Sequence, residues 1–212
     1  FMGNRNVMQG SNSLGSSISI RERYKAYINS SSTQMQYGGK TYKIIELSSA
    51  SSSFFSLESF REFVRYLGGD ICCIETEEEY KQLNNYGFSG VLGLMSGNDT
   101  WVNGEPVSDF MKNFIAEKIP NYETIKDGKI LYCNFYNSNN SIEFIDDGIM
   151  WKNCIVELPS TIDWTSTLLN DKLQEYLKLT SYKDFSQIKN CAILNNFNEG
   201  DFALKIIAPE RV

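Results

Sequence analysis

The stretch that decides the fold is FREFVRYLGGDICCIETEEEYKQL, residues 60–83. The residues from Leu57 to Leu67 predict an amphipathic helix, because their apolar side chains repeat at three- and four-residue steps. The repeating positions are Leu57, Phe60, Val64 and Leu67. Gly68 supplies the left-handed position that ends a helix. The apolar run DICCIE then predicts a short strand that is buried on both faces.

A second helix follows this strand, and its start is marked by TEEE at residues 76–79. Thr76 is placed to accept a hydrogen bond from a backbone N–H, and Glu79 to reach back to the cap, which is a capping box. Three acidic residues in the first turn also suit the positive end of the helix dipole. We therefore assign the glutamate run a structural role.

Composition and charge exclude several functions. The chain has 212 residues, a hydrophobic fraction of 42% and a net charge of −6. Its basic residues are scattered, so nucleic acid and an anionic membrane surface are not expected as partners. No window holds eighteen or more uninterrupted apolar residues, so membrane insertion is not expected.

The chain contains no histidine. Ser-His-Asp and Cys-His nucleophile pairs are therefore impossible within it, as is a histidine-ligated zinc site. A glycosidase with paired carboxylates is the remaining enzymatic option, and no stretch sets two carboxylates in a recognisable constellation. We predict that the protein is not an enzyme.

The five cysteines form no CxxC motif and are odd in number. This pattern argues against a zinc cage and a dense disulfide framework. Cys72 and Cys73 are adjacent in an apolar strand, which favours packing in the core. One disulfide, involving Cys154 or Cys191, stays open.

The remaining elements are predicted from local patterns. Residues 1–34 are rich in Gly, Ser and Asn and are expected to form an arm or linker before a domain at 35–212. TYKIIEL predicts a strand, and residues 89–108 predict a strand, a turn at Asn103-Gly104 and a second strand. The runs KILYCNFY and IMWKNCIVEL also predict strands, residues 166–179 predict an amphipathic helix, and CAIL and FALKII predict two last strands.

Together these pieces resemble the first half of a C-type lectin-like domain. The resemblance is carried by YGGKTYKII, LGGDI, VLGL at 91–94 and WVNGEPVS at 101–108, in the family's order and spacing. It implies an α+β fold in which two helices pack on small antiparallel sheets with a long loop region. Val64 stands where the family carries a helix cysteine, so the family's usual disulfide cannot form. In this respect the chain resembles cysteine-poor members from bacteria and phages.

The second half of the chain matches the family less directly. Two segments could supply the closing strand, 144–158 and 197–210. We prefer 197–210, because it places that strand at the end of the chain. The consequence is a long insertion at about 110–188.

The resemblance implies a binding module of a cell-surface or secreted protein, which recognises carbohydrate or another surface ligand through its long loops. The loop residues expected to bind the ligand are Trp101, Asn121, Tyr122, Glu123, Asn198 and Glu199. Exposed aromatic rings could stack on a sugar without any metal. The alternative is a protein–protein interaction or adhesion module that binds neither sugar nor calcium.

Ca²⁺ is the one candidate cofactor, since sugar-binding members of the family hold this ion. It prefers six to eight oxygen ligands. The nearest match to the family's first calcium loop is Ile119-Pro120-Asn121, where Ile119 replaces a ligand. The expected metal ligands are Glu117, Asn121, Asn198, Glu199 and Asp201, with Asp146 and Asp147 as another possible later pair. The location implied is extracellular or at the cell surface.

Overall fold

The computed structural model describes residues 27–48, 56–147 and 153–188, which form seven strands and four α-helices. The strands are β1 (Tyr27–Tyr37), β2 (Lys40–Ser48), β3 (Asp70–Ile71), β4 (Ser89–Met95), β5 (Ile130–Asn134), β6 (Ser141–Ile145) and β7 (Asn153–Pro159). The α-helices are α1 (Leu57–Tyr66), α2 (Glu77–Asn85), α3 (Asp109–Lys118) and α4 (Ser166–Ile188). Short 3₁₀ turns lie at Tyr122–Thr124 and Tyr136–Ser138.

One mixed sheet organises these elements. Its strand order is β1-β2-β7-β4-β5-β6, with β3 pairing to β7. The β4–β7 pair is parallel and the other pairs are antiparallel. The α+β class is therefore confirmed. The described residues hold four α-helices and a single mixed sheet, where the resemblance implied two helices on small antiparallel sheets.

The sheet separates two apolar cores. Successive residues of a strand point to opposite faces. On β7, accordingly, Cys154 and Val156 pack with α1 and α4, whereas Ile155 packs on the other side with α2 and α3. The central position of β7 explains why its residues 154–158 are all buried.

The predicted signals around α1 and α2 are confirmed. Gly68 has a φ of +92°, the left-handed conformation that glycine adopts without steric cost. A Cβ on Gly69 would lie 2.1 Å from the carbonyl oxygen of Glu157, so the second glycine lets the chain pass close to β7. The Thr76 hydroxyl accepts from the Glu79 amide at 3.1 Å. The Glu79 carboxylate reaches back to the Glu75 amide, one residue earlier than the cap.

The arm expected at residues 1–34 overlaps a strand. β1 begins at Tyr27 and runs along the edge of the sheet through the serine run. Its low apolar content hid it from the sequence patterns. Neighbouring β2 supplies the hydrogen-bonding partner, with an irregularity between Ser30 and Gln34.

Three strands in the range expected to be an insertion, β5, β6 and β7, belong to the main sheet. β2 has β1 on one side and β7 on the other, so the strand beside β2 comes from the less favoured segment, 144–158. The favoured segment 197–210 and the strands predicted at CAIL and FALKII lie outside the described residues.

The four cysteines of the described ranges, Cys72, Cys73, Cys133 and Cys154, are buried and free. Cys191 lies outside those ranges. Val64 is fully buried in the same apolar cluster as Val156 of β7. Aliphatic packing therefore joins α1 to this central strand. Nowhere in the described ranges is a helix long and apolar enough to cross a membrane.

Candidate functional site

A cavity of about 500 Å³ opens between the end of β4, helix α3 and the loop that precedes β5. Its apolar wall is formed by six residues: Leu94, Met95, Val107, Ile115, Ile125 and Phe144. The 3₁₀ turn contributes the half-buried ring of Tyr122. The volume and the largely apolar wall are those of a small-molecule site.

The buried residue Ser96 holds the floor of the cavity together. Its hydroxyl donates to the carbonyl of Lys126 at 2.7 Å and accepts from the amide of Lys129 at 2.8 Å. Its own amide donates to the carbonyl of Lys129 at 2.7 Å. These bonds fasten the loop after β4 to the loop before β5, so the residues around the cavity have fixed relative positions.

Gly97 allows the two loops to approach closely. It has a φ of +89°, and a Cβ built on it would lie 2.4 Å from an oxygen of Asp127. The Asp127 carboxylate thus rests directly against the glycine backbone. A side chain at position 97 would push that carboxylate out of its place beside the cavity.

Helix α3 supplies the opposite side of the cavity. The Ser108 hydroxyl accepts from the amide of Met111 at 3.2 Å, a standard N-cap. The helix then buries Met111, Phe114 and Ile115 in the core and presents Lys112 at the cavity. The chain leaves α3 through Ile119, whose carbonyl accepts from the amide of Tyr122 at 3.0 Å.

Four charged side chains stand at the cavity: Asp99, Lys112, Glu123 and Asp127. All four are exposed, and none makes a side-chain hydrogen bond or ion pair with another residue of the described ranges. Three carboxylates against one ammonium leave this rim negative. Such groups are available to accept hydrogen bonds from hydroxyl or ammonium donors of a ligand.

The structure brings two of the six predicted ligand-binding residues to this cavity. Tyr122 and Glu123 line it. Asn121 is exposed and adjacent, and its carbonyl accepts from the amide and hydroxyl of Thr124. Glu117 is exposed on the last turn of α3 and is not among the lining residues. Asn198, Glu199 and Asp201 lie outside the described residues.

The expectation for Trp101 needs a correction. Its side chain is 2% exposed and packs in the core below α3, so it offers no face on which a ligand could stack. Its indole N–H has no hydrogen-bond partner in the described part of the chain. The polar, glycine-containing sequence around this residue indicated a surface loop, but the loop folds its one large ring inward.

Among the cavity residues that sequence reasoning did not name are Asp99, Lys112, Asp127 and Phe144. Asp99 and Asp127 stand in the turn-forming runs SGND and KDG, whose glycine and aspartate content was a usable signal. No local sequence signal marked Lys112 or Phe144, because only the tertiary fold brings α3 and β6 together.

Within the described residues, the expected donors do not assemble a calcium site. Only one group of three acidic or thiol ligands within 4.8 Å of one another occurs in the described ranges, and it is Cys72, Glu79 and Glu157. Neither Glu117 nor Glu123 belongs to it. Of the alternative pair, Asp146 accepts from Lys129 Nζ at 2.9 Å and Asp147 from the Leu57 amide at 2.9 Å, so both already have partners. Calcium prefers six to eight oxygens, which these residues do not assemble.

The group formed by Glu79, Glu157 and Cys72 is part of the core. Glu79 accepts from the hydroxyl of Tyr42, and Glu157 accepts from Lys40 Nζ at 2.8 Å and from the Cys73 amide at 2.9 Å. Burial raises the pKa of both carboxyls, although their hydrogen bonds oppose the shift. Both glutamates are 6% exposed, which keeps a substrate away from them. We assign this network a structural role.

Comparison with known proteins gives likenesses at the level of structure only. No family model and no curated protein sequence matches the chain. The natural killer cell receptor Ly49C is 19% identical, with 66% of this chain and 97% of that chain covered and a TM-score of 0.41. The carbohydrate-recognition domains of the human and mouse scavenger receptor C-type lectins are also similar. The human domain is 13% identical, with coverages of 61% and 98% and a TM-score of 0.38. The mouse domain is 15% identical, with coverages of 60% and 94% and a TM-score of 0.39.

All three are C-type lectin-like domains, the family that the sequence resembles. At identities of 13–19% they say nothing about which ligand this chain binds. The function has to be argued from its own residues.

Proposed function

We propose that this chain is a non-catalytic binding module that holds a carbohydrate unit in the cavity between β4 and α3, without calcium. The observation that carries the proposal is the cavity itself, about 500 Å³ in volume, with an apolar wall and unpaired polar groups at its rim. A cell-surface or extracellular location, which the sequence resemblance implies, is part of the proposal.

The chemistry of the lining suits a saccharide. A sugar ring presents C–H groups that pack on aromatic and aliphatic surface, here Tyr122, Phe144 and Ile115. Its hydroxyls donate to carboxylate and amide oxygens, here those of Asp99, Glu123, Asp127 and Asn98. Because Ser96 locks the surrounding loops, little conformational entropy is lost when a ligand binds.

The proposal is tested by screening the full chain on a glycan array and then titrating the best saccharide into three variants. Tyr122→Ala removes the ring and Glu123→Gln removes one rim carboxylate. Glu117→Gln is the matched control, because Glu117 is an exposed glutamate nearby that does not line the cavity. We expect the first two variants to bind about tenfold more weakly and the control to bind like the parent chain. Adding EDTA should change none of these affinities.

Equal loss of affinity in the control and in the two cavity variants would place the saccharide elsewhere. A parent chain that binds no saccharide on the array would also contradict the proposal. A loss of binding in EDTA would show that the site needs a metal.

A second candidate is supported by the negative rim. A protein partner could insert a Lys or Arg side chain, with its methylene groups against the apolar wall and its charge among Asp99, Glu123 and Asp127. Salt dependence separates the two candidates. Binding of a basic protein weakens as salt screens the charges, whereas binding of a neutral saccharide is largely insensitive to salt.

A further inference from the structure

A second groove, of about 330 Å³, lies at the opposite end of β4 from the cavity. Ser89, the first residue of β4, lines this groove, whereas Leu94 and Met95 at the other end of the strand line the cavity. Six steps of about 3.3 Å put the two sites roughly 20 Å apart. They are therefore separate sites on the same strand.

The groove is lined mainly by neutral polar side chains. Its hydroxyl and amide groups come from three strands, β1, β4 and β7, and include Asn29, Ser30, Thr33, Ser89 and Asn153. Glu46 is the one charged residue among those that line it. One of its oxygens accepts from the side-chain Nδ2 of Asn29 at 3.3 Å, and its other oxygen has no hydrogen-bond partner in the described part of the chain. This lining differs from the cavity, whose rim is charged.

An exposed tyrosine stands at one side of the groove. Tyr136 is 62% exposed, and its position is set by the 3₁₀ turn after β5. Its amide donates to the Asn134 side chain at 3.2 Å, and the same oxygen accepts from the Ser89 hydroxyl at 3.1 Å. The Asn134 side chain thus connects the turn that carries Tyr136 to Ser89 in the groove.

The backbone on both sides of the groove departs from regular geometry. Asn137 and Ser138, directly after the tyrosine, have φ values of +53° and +63°. Left-handed backbone at non-glycine residues is uncommon and is found at turns and functional sites. On β1, the pairing with β2 is interrupted between Ser30 and Gln34. Irregularities at an edge strand commonly re-aim side chains beside functional sites.

We propose that this groove is a second saccharide-binding site, specific for neutral sugars. Hydroxyls that both donate and accept match the hydroxyls of a sugar, and the side-chain amides of Asn29 and Asn153 add further donors and acceptors. The ring of Tyr136 offers a face for the sugar's C–H groups. A charged ligand would find a single carboxylate here and no basic partner among the lining residues.

The test is calorimetric titration of the full chain with four neutral tetrasaccharides, built from glucose in α or β linkage, from mannose and from N-acetylglucosamine. The groove variants are Tyr136→Ala and Thr33→Val, the second of which removes a hydroxyl and keeps the shape. Tyr27→Ala is the matched control, because Tyr27 is 52% exposed on β1 and does not line the groove. Thermal unfolding confirms that each variant is folded.

We expect at least one tetrasaccharide to bind the parent chain and to bind Tyr136→Ala about tenfold more weakly. Thr33→Val should weaken the same binding, and Tyr27→Ala should leave it within twofold. The cavity variant Tyr122→Ala should also leave it unchanged.

Three results would overturn the groove proposal. The first is that no tetrasaccharide binds. The second is that the groove variants bind like the parent chain or that Tyr27→Ala loses as much affinity as they do. The third is that extended peptides, and no saccharides, bind in a manner that depends on Tyr136. If Tyr122→Ala alone abolishes saccharide binding, the groove proposal fails while the proposed function of the cavity stands.

Discussion

Replacing Gly97 by Ala tests the geometry of the cavity floor. Gly97 has a φ of +89°, and the new Cβ would lie 2.4 Å from an oxygen of Asp127. Two costs are expected. The left-handed backbone costs about 1–2 kcal/mol for an alanine. Swinging the flexible Asp127 side chain away from its preferred rotamer costs about 0.5–1.5 kcal/mol more.

The chain offers a matched control for the first cost. Gly104 has a φ of +90°, and a Cβ there meets nothing within 4 Å. Gly104→Ala therefore measures backbone strain alone. Urea unfolding of both variants should show Gly97→Ala to be the less stable by about 0.5–1.5 kcal/mol. In an Asp127→Ala background, which removes the obstructing carboxylate, this difference should disappear.

Equal destabilisation by Gly97→Ala and Gly104→Ala would show that Asp127 does not rest on Gly97. A difference that persists without the carboxylate would refute the same contact. If the contact is real, Gly97→Ala also displaces a rim carboxylate, so its affinity for the cavity ligand should fall together with its stability.

Three further predictions follow from the two cores and the buried network. In a Cys191→Ser variant, the four remaining thiols should not react with a thiol reagent until urea unfolds the chain. All four are buried, and burial raises the pKa of Cys133 to about 12. Fast reaction of any of these thiols in the folded protein would contradict their assignment to the core. Leu173→Ala should lower the free energy of unfolding by about 2–5 kcal/mol, since Leu173 is fully buried in the cluster that joins α4 to α1. Leu179→Ala, at a site 47% exposed, should change the free energy of unfolding by about 0.5 kcal/mol or less. Equal effects of the two substitutions would show that α4 does not pack as described. Burial raises the pKa of Glu157 above its ordinary value of 4.5, so the stability that Glu157 contributes is full below about pH 4.5 and is lost as the pH rises through the folded-state pKa. The free energy of unfolding of Glu157→Gln, measured relative to the parent chain, should therefore increase between pH 4.5 and pH 7. A constant or falling difference would contradict the raised pKa.

Local signals predicted much of the scaffold correctly. The predicted helix at Leu57–Leu67 is observed at Leu57–Tyr66, and Gly68 and Thr76 end and begin helices as expected. These successes share a cause, because helix periodicity, caps and glycine stops are determined by residues a few positions apart. Strand β1 was missed, since a serine-rich edge strand has little apolar alternation to detect.

Helix α3 and the second strand expected near Trp101 show the limit of local patterns. The stretch DFMKNFIAEKIPNYE, residues 109–123, indicated only a helical turn followed by a loop, whereas its residues 109–118 form a ten-residue helix. The second strand expected within residues 89–108 is reduced to one isolated bridge between Thr100 and Pro106. The helix at 109–118 forms because Met111 and Phe114 pack into the core. The expected second strand does not form because Trp101 turns inward and packs in the same cluster.

The cavity could be predicted only as a region. The family resemblance pointed to the long loops, and Tyr122 and Glu123 were among the loop residues named as ligand-binding. Lys112 and Phe144 could not be found from the sequence, because their proximity depends on how α3 and β6 cross the end of β4. A site built from several segments depends on long-range packing, which local sequence patterns do not reveal.

The most direct test of the central claim is a crystal structure of the full chain soaked with the saccharide that binds most tightly in titration. We predict sugar density between β4 and α3, against Tyr122, with hydroxyls at hydrogen-bonding distance from Asp99, Glu123 or Asp127. Sugar density found only away from this cavity, with these side chains unchanged, would contradict it.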